Sequence, residues 1–186
     1  MRKVFKHIKK GFTLVEVLAV VAILGILSAA GYSSLNNAIA NSRLKDAIVN
    51  TRAFVESMSL ESKRLHDSLC IVFVANQMQT KRFANDVCEG DAISTLELVA
   101  PVSFYTSTPQ NIVSQESFVA TPVIWTSADK FLVLSPKLGL NEITEEGVIA
   151  LRYGNSSRYG AVLKSAKKNR LQAYFSVDGG ASWVIP

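Results

Sequence analysis

From Phe12 to Ala30 the chain reads FTLVEVLAVVAILGILSAA, 19 residues with a single charge, Glu16. As a helix this run is about 28 Å long, against roughly 30 Å for the hydrocarbon core of a bilayer. Arg2, Lys3, Lys6, Lys9 and Lys10 precede it, and no acid occurs before Glu16. Basic residues flanking a span favour the cytoplasmic side, so the leader is expected to stay inside and the remainder to be exported. A secretory signal has a shorter apolar region, about 7–15 residues, ending at small residues. Ser28-Ala29-Ala30 offers such a site, and that alternative stays open at this point.

Glu16 argues for a retained and functional span. A carboxylate deep in a membrane helix costs about 2.5–3.5 kcal/mol on insertion scales, and such groups usually serve a function. A cut between Gly11 and Phe12 would free an α-amino group at Phe12. Glu16 lies four residues later, on the same helical face. In a low dielectric, amine and carboxylate favour pairing over isolation. Pairing with the amine of a neighbouring, axially shifted helix would set the register of a helix bundle, as one buried polar group does in a coiled coil.

Lys-Lys-Gly-Phe-Thr-Leu-Val-Glu, Lys9 to Glu16, resembles the prepilin peptidase recognition motif of type IV pilins and type II secretion pseudopilins. The resemblance implies cleavage after Gly11, N-methylation of Phe12 and an assembly role for Glu16. It also implies partners: prepilin peptidase, an inner-membrane assembly platform, other pilin or pseudopilin subunits, and membrane lipid before assembly. Many relatives have a proline soon after the span; this chain has none there. Gly25 and Gly31 are the expected weak points, each costing about 1 kcal/mol of helix relative to Ala.

The formal charge of +5 belongs to the leader. Without residues 1–11, basic and acidic side chains balance at 15 each, so the folded part carries no net attraction for an anionic partner.

Between Ser33 and His66 there is neither Pro nor Gly. Leu44, Ala47, Ile48, Thr51, Phe54, Val55, Met58, Ser62 and Leu65 recur at steps of three and four, one face of an amphipathic helix. From Leu69 the pattern changes to short β-rich runs between turn residues. The expected strands are Leu69–Val74, Arg82–Val87, Thr95–Tyr105 broken at Pro101, Phe118–Trp125, Phe131–Leu134, Val148–Tyr153, Tyr159–Lys164, Leu171–Val177 and Ser182–Ile185. The expectation is an α+β chain: a long N-terminal helix, transmembrane then amphipathic, packed on an antiparallel β-rich head. Its expected organisation is a leader (1–11), a membrane and assembly helix (12–31), an amphipathic helix (32–66) and a periplasmic head (67–186).

Leu60–His66, the strand carrying Cys70, and Phe131–Gly139 followed by two strand pairs resemble the H-type pseudopilin and FimT-like minor pilins. That resemblance implies a minor subunit near a fibre tip, in the inner membrane before assembly.

Cys70 and Cys88, the only cysteines, are a disulfide, a redox pair or two buried thiols. An exported head favours the first; the spacing is far from C-x-x-C, and no second pair is present to build a zinc site. Ser176-Val-Asp178-Gly179-Gly180-Ala-Ser-Trp183 resembles an Asp-box. A single copy reads as a hairpin turn: Asp178 accepts from turn amides, the glycines take positive φ and Trp183 packs beneath. Arg152, Arg158, Lys164, Lys167, Lys168 and Arg170 form a basic stretch without an acid. It is either a solvated surface or a phosphate-binding face for DNA, and strand alternation sets Arg152 and Arg158 on different faces.

No catalytic motif is present: no G-x-S-x-G, no H-E-x-x-H, no P-loop. His66, the one histidine beyond the leader, sits at a helix end. Glu142, Glu145 and Glu146 lack the spacing of a calcium loop and read as a solvated turn. No metal or cofactor is implied, and the chain is expected not to be an enzyme.

Overall fold

The computed structural model describes residues 12–107, 109, 111–112, 118, 122–127, 130–137, 146–165 and 170–186. Among the described residues are one long helix, α1 (Leu14–Leu65), and nine strands: β1 (Leu69–Val74), β2 (Gln77–Ala84), β3 (Val87–Glu97), β4 (Val102–Phe104), β5 (Val123–Ile124), β6 (Phe131–Leu134), β7 (Gly147–Tyr153), β8 (Tyr159–Lys164) and β9 (Gln172–Ser176). The α+β architecture read from the sequence is present. Two compact units divide the chain, one up to Ile39 and one from Ala40 to Pro186.

In the first unit, α1 runs unbroken through Gly25 and Gly31, against the expectation of weak points there. A methyl group placed on either glycine would meet nothing within 4 Å beyond the adjacent residues and the helix's own backbone. Gly lowers helix propensity by only about 1 kcal/mol, which the long apolar run of helix formers around it offsets.

In the second unit, α1 presents Ala40, Leu44, Ala47, Ile48, Thr51, Val55, Ser59 and Ser62 as one buried face. Phe54 and Met58 are partly buried against the same core, whereas Leu65 falls outside it, exposed at the helix end. Burying a Leu or Ile this completely contributes roughly 1.5–3 kcal/mol, so this stripe is the main attachment of the helix to the head. The helix stops at His66, which takes φ 54°. Asp67 N–H donates to Ser62 O at 3.2 Å and His66 N–H to Lys63 O at 3.3 Å, the paired bonds of a Schellman cap. Ser62 Oγ donates to Leu134 O at 3.2 Å, tying the helix end to β6.

The strands form two sheets. The first has the order β3-β2-β1-β6; the second has β4-β7-β8-β9, with β5 added to β7. All pairings are antiparallel except the two-residue β5–β7 pair. Leu69, Ile71, Met78, Leu132 and Leu134 of the first sheet meet Ile149, Leu151, Val162 and Ala173 of the second, together with the helix stripe, in one core. The opposite side of the second sheet is covered as well. Val148, Ala150, Ala161, Leu163 and Tyr174 pack with Ile112 and Trp183. A sheet buried on both faces reads as a continuous apolar run, and Gly147–Leu151 of β7 and Gly160–Lys164 of β8 are buried at every position.

Two strand expectations fail for a physical reason. Arg82–Val87 is not one strand but straddles a hairpin: Arg82–Ala84 ends β2, Val87 opens β3, and Asn85 and Asp86 between them both take positive φ, 51° and 62°, the geometry of tight hairpin loops. The polar strand β2 precedes that turn and β3 follows it. Ser182–Ile185 makes only an isolated bridge, Phe175 with Val184. The Thr95–Tyr105 segment divides into the end of β3 and β4. Of Phe118–Trp125, Val123–Ile124 is strand and residues 119–121 lie outside those described.

Candidate functional site

α1 begins where Thr13 caps it. Thr13 Oγ1 accepts from Glu16 N–H at 3.2 Å, and Thr13 O accepts from Glu16 N–H at 3.1 Å and Val17 N–H at 3.2 Å. Thr13 is thus the N-cap and Glu16 occupies the third helical position, the placement of a capping box. The Thr-x-x-Glu spacing signalled this helix start in the sequence and was not read from it above. At that position the Glu16 carboxylate also lies in the favourable field of the helix N-terminus.

Beyond the cap, the helix surface is apolar and bare. Phe12 is 81% exposed and Leu14 75%, and Leu18, Val21, Leu24 and Leu27 are exposed as well. α1 is long and apolar enough to cross a membrane. Among the described residues none gives the Glu16 side chain a hydrogen bond or an ion pair. Gly11 lies outside the described residues. The arrangement is therefore an oily rod that needs a cover, with an acid one turn from its start.

The candidate residues of the head have structural places. No group of three or more His, Cys, Asp and Glu among the described residues converges there as a metal site. His66 serves as the helix cap. Cys70 on β1 and Cys88 on β3 are joined in a disulfide, with Cα atoms 6.0 Å apart.

The basic stretch is dispersed. Lys164 is only 2% exposed, and its Nζ donates to Ser165 O at 2.8 Å. Burial lowers its pKa, partly countered by the charge of Glu146. Lys164 is therefore not one of the expected DNA contacts, because a buried ammonium cannot meet a phosphate in solvent. Glu146, read as part of a solvated turn, is 7% exposed and faces that lysine electrostatically. Glu142 and Glu145 lie outside the described residues.

The arginines point to separate tasks. Arg158 Nε donates to Asn41 Oδ1 at 2.9 Å, linking the strand to α1. Arg152 lies over Tyr105 and Tyr159, 5.7 and 5.6 Å from the ring centroids, and its Nε donates to Ser156 O at 3.1 Å. Arg170 is exposed, and Lys167 and Lys168 lie outside the described residues. The described members of the stretch do not assemble into one phosphate-binding face.

The Asp-box-like segment is a turn held by its own side chains. Asp178 Oδ1 accepts from Ser176 Oγ at 2.7 Å and from Ser182 N–H at 3.0 Å. Gly180 N–H donates to Ser176 Oγ at 3.0 Å, and Trp183 Nε1 donates to Gly180 O at 3.1 Å. Gly179 and Gly180 take φ 78° and 92°. The bonds from Ser176 and Ser182 hold the Asp178 carboxyl well below the usual range.

With that geometry in view, one family model matches the chain: the prokaryotic N-terminal methylation motif, over residues 6–32. The match covers residues 6–11 of the leader, Phe12, Glu16 and the apolar run, and none of the head. No curated protein and no solved structure matches the chain.

Proposed function

We propose that this chain is a pilin-like assembly subunit, cut after Gly11, methylated on the Phe12 amine and polymerised through α1. The observation that carries the reading is the coincidence of three features on one segment. The methylation motif covers residues 6–32, the helix it opens is exposed and apolar, and Glu16 sits in its first turn. Before assembly the bilayer covers the apolar surface; afterwards the helices of neighbouring subunits do. In that setting Glu16 lowers the cost of adding a subunit by pairing with the Phe12 amine of another copy, since each charge buried alone is far costlier than the pair.

The finer reading is a minor subunit of a type II secretion pseudopilus or type IV pilus, of the H-type or FimT-like kind. The leader, residues 1–11, is cytoplasmic; residues 12–31 span the inner membrane; residues 32–66 carry the docking face; the head from residue 67 is periplasmic. The order of elements supports this: one helix, the Cys70 strand, then β6 followed by the antiparallel run β7, β8 and β9 and a single bridge to Val184. The chain acts mechanically and not as an enzyme. The DNA-uptake alternative loses its main support with Lys164 buried and Arg158 tied to Asn41.

The test is Glu16→Ala in the full chain. Expression and membrane insertion should be unchanged, while incorporation into sheared fibres should fall at least tenfold. Wild-type incorporation of Glu16→Ala would refute the pairing mechanism.

A further inference from the structure

A second contact surface lies on the head, independent of the N-terminal motif. β3 is the longest strand among the described residues, 11 residues, and it forms an edge of its sheet. None of its residues is buried. Edge strands are normally shielded by brevity, charge, proline, a bulge or a covering element; β3 contains neither proline nor lysine. Its ladder with β2 breaks between Glu89, opposite Arg82, and Ser94, opposite Thr80, so residues 90–93 bulge out opposite Lys81 and blunt that half of the edge, with Gly90 at φ 79°. Past that shift, Ser94–Glu97 is again regularly paired with β2, so its outer side is a regular ladder template.

Two features specify what would fit. The first is charge. From Phe83 to Asp129 there is no Lys or Arg, while Asp86, Glu89, Asp91 and Glu97 lie on β3 or the turn before it. The second is a cleft of about 330 Å³ at the end of β3, lined by Ala47, Leu96, Leu98, Val99 and Val102, with Arg43 and Asp46 at its polar side. Val99 is 79% exposed. A second copy is a poor occupant, because two acidic edges repel one another.

We propose that the β3 edge receives an extended, basic segment of a different protein chain, which adds a strand beside Ser94–Glu97 and sets an apolar side chain into the cleft. Backbone hydrogen bonds supply affinity in such strand addition, and alternate side chains supply selectivity. Lysines of the incoming strand meet Glu89, Asp91 and Glu97.

The test uses the full-length protein in detergent micelles and a synthetic ten-residue peptide alternating Lys and Val. Two control peptides accompany it: Glu in place of Lys, and the Lys peptide with alternate amides N-methylated so that it cannot form a ladder. The Lys–Val peptide should slow hydrogen exchange at Ser94–Glu97. Its binding should weaken about tenfold in E89Q/D91N/E97Q at low salt, the sum of three exposed charge pairs. Both controls should fail to protect β3. Equal protection by the Glu peptide or by the N-methylated peptide would overturn the proposal. So would peptide binding that leaves β3 exchange unchanged, no peptide binding at all, or protection of β3 by self-association of the protein.

Discussion

Gly160 on β8 lies directly beneath Ile48 on α1. A methyl group placed on Gly160 would come within 2.5 Å of Ile48 Cγ1 and 2.6 Å of its Cδ1. The docking helix and the sheet approach so closely that the strand has no room for a side chain at this point. Gly160→Ala should therefore destabilise the head by about 1–3 kcal/mol, the usual cost of overpacking a well-filled core. Ile48→Val should recover part of the loss in the double variant, because the two residues share one space. Urea unfolding followed by the fluorescence of Trp125 and Trp183 reads both effects. Additive losses would show that the close approach relaxes elsewhere.

Asp178 makes acid stability depend on the C-terminal turn. Its folded pKa lies below the ordinary 3.8. A depressed carboxyl stabilises the fold in full above the unfolded value and loses that contribution as pH falls through the folded one. The unfolding midpoint should thus drop as pH is lowered from about 4. Asp178→Asn should lower the midpoint at neutral pH and flatten this acid limb. Thermal scans between neutral pH and strong acid measure it.

Lys164 predicts the opposite limb. Its folded pKa lies below its ordinary value because burial disfavours the ammonium. Between the folded and unfolded values the unfolded chain binds more protons, so stability rises with pH in the alkaline range just below 10.5. Lys164→Met should remove that rise. Urea midpoints at several alkaline pH values check the slope.

Cys70 and Cys88 close a loop with a sequence separation of 18. Loop-closure entropy assigns such a link about 3 kcal/mol. The Cys70→Ala/Cys88→Ala protein should be destabilised by that amount, and dithiothreitol should lower the wild-type midpoint to a similar degree.

Much of this fold was visible in the residues. β1, β6 and β8 coincide with apolar runs bounded by turn residues. The buried face of α1 follows from the three-and-four spacing of Leu44, Ile48, Thr51, Val55 and Ser62. What escaped was decided by distant partners or by backbone. β2 reads Gln-Met-Gln-Thr-Lys-Arg-Phe-Ala; only its alternation of Met78 and Thr80 inward marks it, and β1 had to supply the pairing. The Asn85-Asp86 turn was masked by the β-prone residues on either side. Lys164 ends an apolar strand and looked free, because Glu146 is far away in sequence. On the candidate site, Phe12 and Glu16 were identified by motif and by the oddity of a charge in oil. The Thr13 cap was legible too, in Thr-x-x-Glu.

The central claim concerns the mature N-terminus. Intact mass and N-terminal sequencing of the protein purified from its native membrane read it directly. The account predicts a chain that begins at Phe12 and is one methyl group heavier than residues 12–186. A protein that retains residues 1–11, or one that begins at Gly31, would contradict it.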